Sequence, residues 1–144
     1  MRIIGGSLKK KKIFSVKGTT TRPTSDKLRE TIFNIISSKI ENAFVLDLFA
    51  GTGAMGIEAL SRGATEAVFI ENNYNALATI KKNISCCSLE KQSTIFRHNI
   101  LKNLNCLIPY QNKIDLVFID PPYCNNTITD TLINLNNSHA VKKR

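Results

Sequence analysis

The 144-residue chain has no tryptophan, two histidines, four cysteines and four prolines, and its 11 acidic residues are outnumbered by 20 lysines and arginines. Each shortage excludes something. Cys86, Cys87, Cys106 and Cys124 form no C-x-x-C, and His98 and His139 sit in no ligand spacing, so neither a metal site nor a disulfide framework is expected. Free thiols in a reducing compartment are the expectation. No apolar run approaches the roughly 18 residues needed to cross a bilayer, and Met1-Arg2-Ile3-Ile4-Gly5-Gly6 lacks the apolar stretch of a signal peptide, so the expected location is cytoplasmic, with no membrane partner. The length and 42% apolar content suit one domain, read as a monomer.

What is present is unevenly placed positive charge. Between Met1 and Ile40 stand ten basic residues, Arg2, Lys9, Lys10, Lys11, Lys12, Lys17, Arg22, Lys27, Arg29 and Lys39, against Asp26 and Glu30, a net of +8. Glu41 to Val141 carries a net of −2, and Lys142-Lys143-Arg144 restores +3. Basicity of this density in an N-terminal arm attracts phosphate, since each neutralised phosphate releases a condensed counterion. For the Lys9 to Lys12 run alone a solvated terminus is an equal alternative. Arg2, Lys17, Arg22 and Arg29 in the same arm tilt the reading to nucleic acid.

Elements alternate along the chain. Gly5-Gly6, the lysines, Ile13-Phe14-Ser15-Val16 and Lys17-Gly18 predict short strands or an extended arm joined by turns. Leu28, Ile32, Phe33, Ile35, Ile36 and Ile40 recur at helical spacing after Ser25-Asp26, predicting a helix over about 25–40. Ala43 to Phe49 reads as a buried strand, followed by a glycine-rich turn and a helix that ends at Arg62-Gly63. Ala67 to Glu71, Thr94 to Arg97 and Ile114 to Ile119 read as further strands, with a helix over about 75–83. Ile128, Leu132 and Leu135 mark a last helix. Strand and helix in alternation predict an α/β, Rossmann-like, mostly parallel sheet whose ligand lies beyond the carboxyl ends of its strands. The expected organisation is a basic arm over 1–24, the sheet domain over 25–137 and a basic tail over 138–144.

Three motifs carry chemistry. Gly51-x-Gly53-x-x-Gly56 between strand and helix lets backbone approach a ligand, and alone it equally fits a dinucleotide dehydrogenase. Asp47, four residues before Gly51, would meet a cationic or amino-bearing ligand and repel a pyrophosphate. Glu71 ends the second strand, where two carboxylate oxygens can accept from both hydroxyls of an unphosphorylated ribose. This pair favours S-adenosylmethionine over NADP. Asp120-Pro121-Pro122-Tyr123 follows the fourth strand. Its prolines force an extended turn with carbonyls lacking local N–H partners. An acid and a carbonyl can there accept the two hydrogens of a planar amino group, and Tyr123 can stack on the ring. Without its neighbours, this motif would also serve as a strand-ending turn.

Asp47-Leu48-Phe49-Ala50-Gly51-Thr52-Gly53 together with Asp120-Pro121-Pro122-Tyr123 resembles class I S-adenosylmethionine-dependent amino-methyltransferases. Arg2-Ile3-Ile4-Gly5-Gly6, Thr21 to Asn34 and Gly56-Ile57-Glu58-Ala59-Leu60-Ser61-Arg62-Gly63-Ala64 narrow the resemblance to the bacterial 16S rRNA guanine-N2 methyltransferase family. The resemblance runs from Met1 to about Leu135. It implies methyl transfer from S-adenosyl-L-methionine to the exocyclic amine of a guanine in 16S rRNA or a small-subunit assembly intermediate. It further implies that Asp47, Phe49, Gly51, Gly53, Glu71 and Asn99 bind the cofactor. Asp120, Pro121, Pro122 and Tyr123 would be catalytic, and Arg2, Lys9, Lys10, Lys11, Lys12, Lys17, Arg22 and Arg29 would hold RNA.

Two features depart from the family pattern. Asn99 stands where the family usually has an aspartate for the cofactor's adenine amino group, so the accepting oxygen is uncharged and weaker binding is expected. The family's seven-stranded sheet also implies a C-terminal truncation here, with Val117 and Ile119 left on an uncovered edge and Ser138 to Arg144 unlike family sequence. Adenine-N6 methylation of DNA or RNA, and an RNA-binding fragment without catalysis, are the competing readings. A dehydrogenase ranks below both.

Overall fold

The computed structural model describes residues 1–18, 24–123 and 126–143. Four strands, β1 (Phe44–Leu48), β2 (Glu66–Glu71), β3 (Ser93–Arg97) and β4 (Leu116–Ile119), form one parallel sheet in the order β3-β2-β1-β4. Helices α1 (Asp26–Ile35), α2 (Ala54–Ser61), α3 (Tyr74–Cys86) and α4 (Thr127–Ser138) alternate with them. Among the described residues no helix is long and apolar enough to cross a membrane, and no group of three or more His, Cys, Asp or Glu is placed to hold a metal ion.

Alternation along each strand divides the core. Val45, Ala67, Phe69 and Phe118 pack with α1, α2, α3 and the N-terminal segment on one face. Leu46, Leu48, Val68 and Ile70 pack on the other face with Leu104, Leu107 from the 3₁₀ segment that follows it, and Leu135 from α4. Period-2 geometry requires that split, because successive side chains leave a strand on opposite sides.

The N-terminal segment is a hairpin built into the first of these cores. Arg2 and Lys12 form an antiparallel bridge, Ile3 N–H donates to Lys11 O at 2.9 Å, and Ile3 and Ile13 are buried. Helix α2 receives its turn: Glu58 accepts from Ile4 N–H at 2.9 Å and Gly5 N–H at 2.8 Å, while Ser61 Oγ donates to Gly5 O at 2.6 Å. The arm is therefore a preorganised surface.

Several elements depart from expectation. The first helix ends at Ile35 and gives way to a 3₁₀ turn over Ser37–Lys39. Helix α4 buries Thr127, Thr131, Leu135 and Ser138 and leaves Ile128, Leu132 and Ile133 about half exposed, so of the apolar stripe read from sequence only Leu135 lies on its core face. Ile114 lies before β4 and instead bridges Val141 in parallel, with Lys142 N–H donating to Ile114 O at 2.9 Å. The tail thus lies beside the start of β4 and buries Ala140, and Lys142 pairs with Asp115 at 2.7 Å. Beyond that contact Val117 and Ile119 are half-buried on the edge strand. Cys86, Cys87 and Cys106 are free thiols, and Cys124 lies outside the described residues.

Candidate functional site

Strand register assembles the site. Leu48 pairs with Ile70 on one side and Ile119 on the other, so the next row across the sheet holds Glu71, Phe49 and Asp120. Two interstrand spacings place the Glu71 and Asp120 backbones about 10 Å apart with the β1 loop between them. The chain order reverses between β1 and β4, which opens a crevice at the carboxyl ends of the strands.

The loop is held from below and open above. Phe49 takes a left-handed φ of +58°, a costly conformation for an aromatic residue, and turns the chain out of β1. Gly51 has φ +58° and Gly53 φ +79°. A Cβ on Gly51 would meet nothing nearer than Phe49 O at 3.9 Å, so its backbone faces open space. The other two glycines face inward. A Cβ on Gly53 would touch Ile80 and Phe69 at 3.4 Å, and one on Gly56 would stand 2.3 Å from a Phe69 ring carbon. Gly53 and Gly56 seat α2 on β2, and of the three glycines Gly51 alone has open space over its backbone. Gly56→Ala should cost about 1–3 kcal/mol in a denaturant melt through overpacking against the buried Phe69 ring.

Glu71 braces the same loop. Its Oε2 accepts from Gly51 N–H at 2.9 Å, and its Oε1 accepts from Asn72 and Asn73 N–H at 2.8 and 3.0 Å. A half-exposed carboxylate so oriented retains lone pairs for ligand hydroxyls. Beside it, Asn99 Oδ1 accepts from Leu101 N–H at 3.1 Å. An anchored acid with spare lone pairs and an amide acceptor suit the ribose hydroxyls and base amino group of S-adenosylmethionine, beside a glycine with no side chain to block approach.

Asp47 has another role than the one expected. Its place in β1 has the parity of Val45, so it points under α2, where it is 3% exposed and its Oδ2 accepts from Gly56 N–H at 3.0 Å. Burial pushes its pKa up to about 8; the Gly56 N–H opposes the rise, and the negative charges of Asp120 and Glu71 add to it. A carboxyl sealed beneath α2 and bonded to Gly56 N–H has no open path to a ligand above the loop. Asp47 anchors the loop instead.

On the other side of β1, Asp120 is exposed and its Oδ2 accepts from the Thr24 hydroxyl at 3.1 Å. Pro121 is half-buried, Pro122 exposed, and Tyr123 fully open to solvent at 106%. The ring has both faces free for stacking.

Arg2, Lys9, Lys10, Lys11, Lys12 and Lys17 are exposed, as an RNA surface requires, and Arg22 lies outside the described residues. Arg29 is a correction. It is fully buried, donating to Arg2 O at 2.5 Å and Asp26 Oδ1 at 2.8 Å, with Glu58 Oε2 at 4.0 Å from its Nε. Burial lowers its pKa, while Glu58 and Asp26 favour its charge. This guanidinium ties α1 to the hairpin and cannot reach RNA.

Three contributors escaped the sequence reading. Thr24 lies within the quoted Thr21 to Asn34 stretch but shares no local pattern with Asp120. Glu58 is an acid on an otherwise buried helix face, a signal that was available. Asn83 occupies the apolar face of α3 with Ile80 and Ile84, and its Nδ2 donates to Phe14 O at 3.0 Å and Thr52 O at 2.9 Å. It joins the glycine loop to the hairpin.

Comparison with known proteins decides the family. The model of the family described as conserved hypothetical protein 95 matches residues 1–144. The chain belongs to that family. The match extends through the tail, beyond the Leu135 limit of the motif resemblance. The chain is similar to YlbH of Bacillus subtilis (strain 168), with 40% identity over 123 residues, 85% of this chain and 67% of that protein. It is also similar to ribosomal RNA small subunit methyltransferase D of Buchnera aphidicola subsp. Acyrthosiphon pisum, with 38% identity over 144 residues, covering 98% of this chain and 72% of the relative. The solved structure of yhhF from Escherichia coli superposes with a TM-score of 0.83 at 30% identity, over 99% of this chain and 75% of that one. The chain thus spans about two thirds to three quarters of the length of these family members. The superposition shows that the yhhF structure shares this fold.

Proposed function

We propose that the protein transfers a methyl group from S-adenosyl-L-methionine to the exocyclic N2 amine of a guanine in 16S rRNA. One observation carries the reading: the sheet register sets an exposed Asp-Pro-Pro-Tyr across the glycine loop from an anchored Glu71. Kinship with a small-subunit rRNA methyltransferase supports the substrate class.

The chain's own groups divide the work. Glu71, the Gly51 backbone and Asn99 would hold the cofactor, which when bound supplies an electrophilic methyl on a sulfonium. Tyr123 stacks on an unstacked base. The Asp120 carboxylate and the Pro121 carbonyl accept the two amino hydrogens, which turns the nitrogen lone pair out of conjugation and toward the methyl donor. The carboxylate also offsets the positive charge that grows on nitrogen during transfer. Thr24 donates to Asp120 from outside the pocket and fixes the carboxylate's rotamer.

Purified protein incubated with labelled S-adenosylmethionine and hypomethylated small subunits, naked 16S rRNA or DNA tests the proposal. N2-methylguanosine should be the labelled nucleoside after digestion of the RNA. Label in N6-methyladenine, or in DNA alone, would overturn it.

A further inference from the structure

We propose that the cleft walled by Arg2, Lys10, Lys12, Phe14 and Asp26 binds one single-stranded RNA nucleotide flanking the methylated base, its phosphate against the cations and its base on the Phe14 ring. The inference rests on the rRNA reading above and adds a subsite to it. The cleft has a volume of about 530 Å³, with Met1 and Ile13 completing its wall.

Phe14 is the feature that points to a base. Strand parity buries its neighbour Ile13 and turns Phe14 outward, leaving the aromatic residue 44% exposed. Its backbone is clamped on both sides by the buried Asn83, with Phe14 N–H donating to Asn83 Oδ1 at 2.7 Å and Asn83 Nδ2 donating to Phe14 O at 3.0 Å. Lys82 Nζ stands 3.7 Å from the ring centroid. A rigidly presented aromatic ring beside cations is how proteins bind single strands: every base has a face to stack, and each phosphate needs neutralising. Duplex RNA offers the ring no free base.

The electrostatics of the cleft agree. Its acid, Asp26, is already matched by Arg29 at 2.8 Å and approached by Arg2 at 3.5 Å, so Lys10 and Lys12 leave the cleft positive. Lys10 is held at the hairpin turn with φ +74°, its N–H donating to Ile3 O at 2.8 Å. Rigid placement of this kind lowers the entropy cost of binding.

Position makes this a flanking subsite. Met1 Sδ in the cleft wall accepts from the Thr52 hydroxyl of the glycine loop at 3.8 Å. Asp26 opens α1 two residues after Thr24, which holds Asp120. The cleft therefore borders both halves of the candidate site.

Fluorescence anisotropy of the full chain with a labelled single-stranded RNA decamer and a duplex of the same sequence tests the inference. Phe14→Ala should weaken single-strand binding about 10-fold with an unchanged salt slope, and leave duplex binding within about twofold. Phe14→Leu, which keeps apolar bulk and removes the flat ring, should show most of that loss. Lys10→Ala with Lys12→Ala should lower the log–log salt slope by about 0.7, the contribution of one phosphate on a single strand. Single-strand affinity and salt slope unchanged in all three variants, in a wild type that binds RNA, would overturn the cleft alone. A wild type that binds no RNA would overturn the rRNA reading with it.

Discussion

Asp120→Ala should reduce methyl transfer by about 10³-fold or more while leaving S-adenosylmethionine affinity within about twofold. The effect is large because two losses coincide: the amino hydrogens lose an acceptor that orients the nitrogen, and the growing positive charge loses its nearest carboxylate. The fold should not register the change. Asp120 is exposed, its one hydrogen bond among the described residues comes from the Thr24 hydroxyl, and it contributes nothing to the core, so the melting free energy should stay within about 0.5 kcal/mol. Asp120→Asn keeps one acceptor oxygen without the charge and should fall between wild type and alanine. The measurements are single-turnover transfer and cofactor titration by calorimetry. Loss of cofactor affinity together with transfer in Asp120→Ala would move the residue from the base pocket to the cofactor site.

Asp47→Asn should flatten the pH dependence of stability between about pH 4 and pH 8. The carboxyl's pKa is raised in the folded state from 3.8 to about 8, so over that interval the native chain holds a proton that the unfolded chain releases. Stability is therefore fullest below the unfolded value and is lost as pH rises toward the folded one, at about 1.4 kcal/mol per pH unit. Asparagine keeps an acceptor for Gly56 N–H and has no charge to bury. Wild type and variant should run parallel below pH 4, diverge steadily above it, and differ by about 5 kcal/mol more at pH 8.5 than at pH 4. Urea melts across this range check the sign: a wild type that gains stability over the variant as pH rises would mean that Asp47 is ionised in the fold, with a partner that the Gly56 N–H does not represent.

The two aspartates show how far the residues could be read without coordinates. Both stand at strand ends beside ligand-binding motifs, and in sequence they look equivalent. One strand position separates their fates. Asp47 lies inside β1 with the parity of Val45 and points under α2, whereas Asp120 lies one residue past β4 and escapes the sheet. Counting parity from Val45 would have placed Asp47 inside, so that information was present and unused.

Arg29 differs in kind. Nothing near it in the chain marks it off from Arg2 or Lys17, because the groups that bury it come from elsewhere: Glu58 from α2 and the Arg2 carbonyl from the hairpin. Asn83 and Thr24 are alike in this respect, each acting across 31 residues or more, on Thr52 and on Asp120. Helix α4 shows the same limit in reverse. Ile128, Leu132 and Leu135 form an apolar series at helical spacing, yet the buried face carries Thr127, Thr131, Leu135 and Ser138.

By itself the sequence determined the order of strands and helices, the turns that close β1 and β4, the kinship carried by Asp-Pro-Pro-Tyr and the glycine loop, and the basic N-terminal arm. These rest on periodicity, turn chemistry and local charge, which act over a few residues. Only the tertiary structure decided that Gly56 N–H caps Asp47 beneath α2, which arginine is an internal tie, which glycine is left open, and that an outward Phe14 stands among cations. Those depend on desolvation and on contacts between distant segments, energies that exist only once the chain has packed.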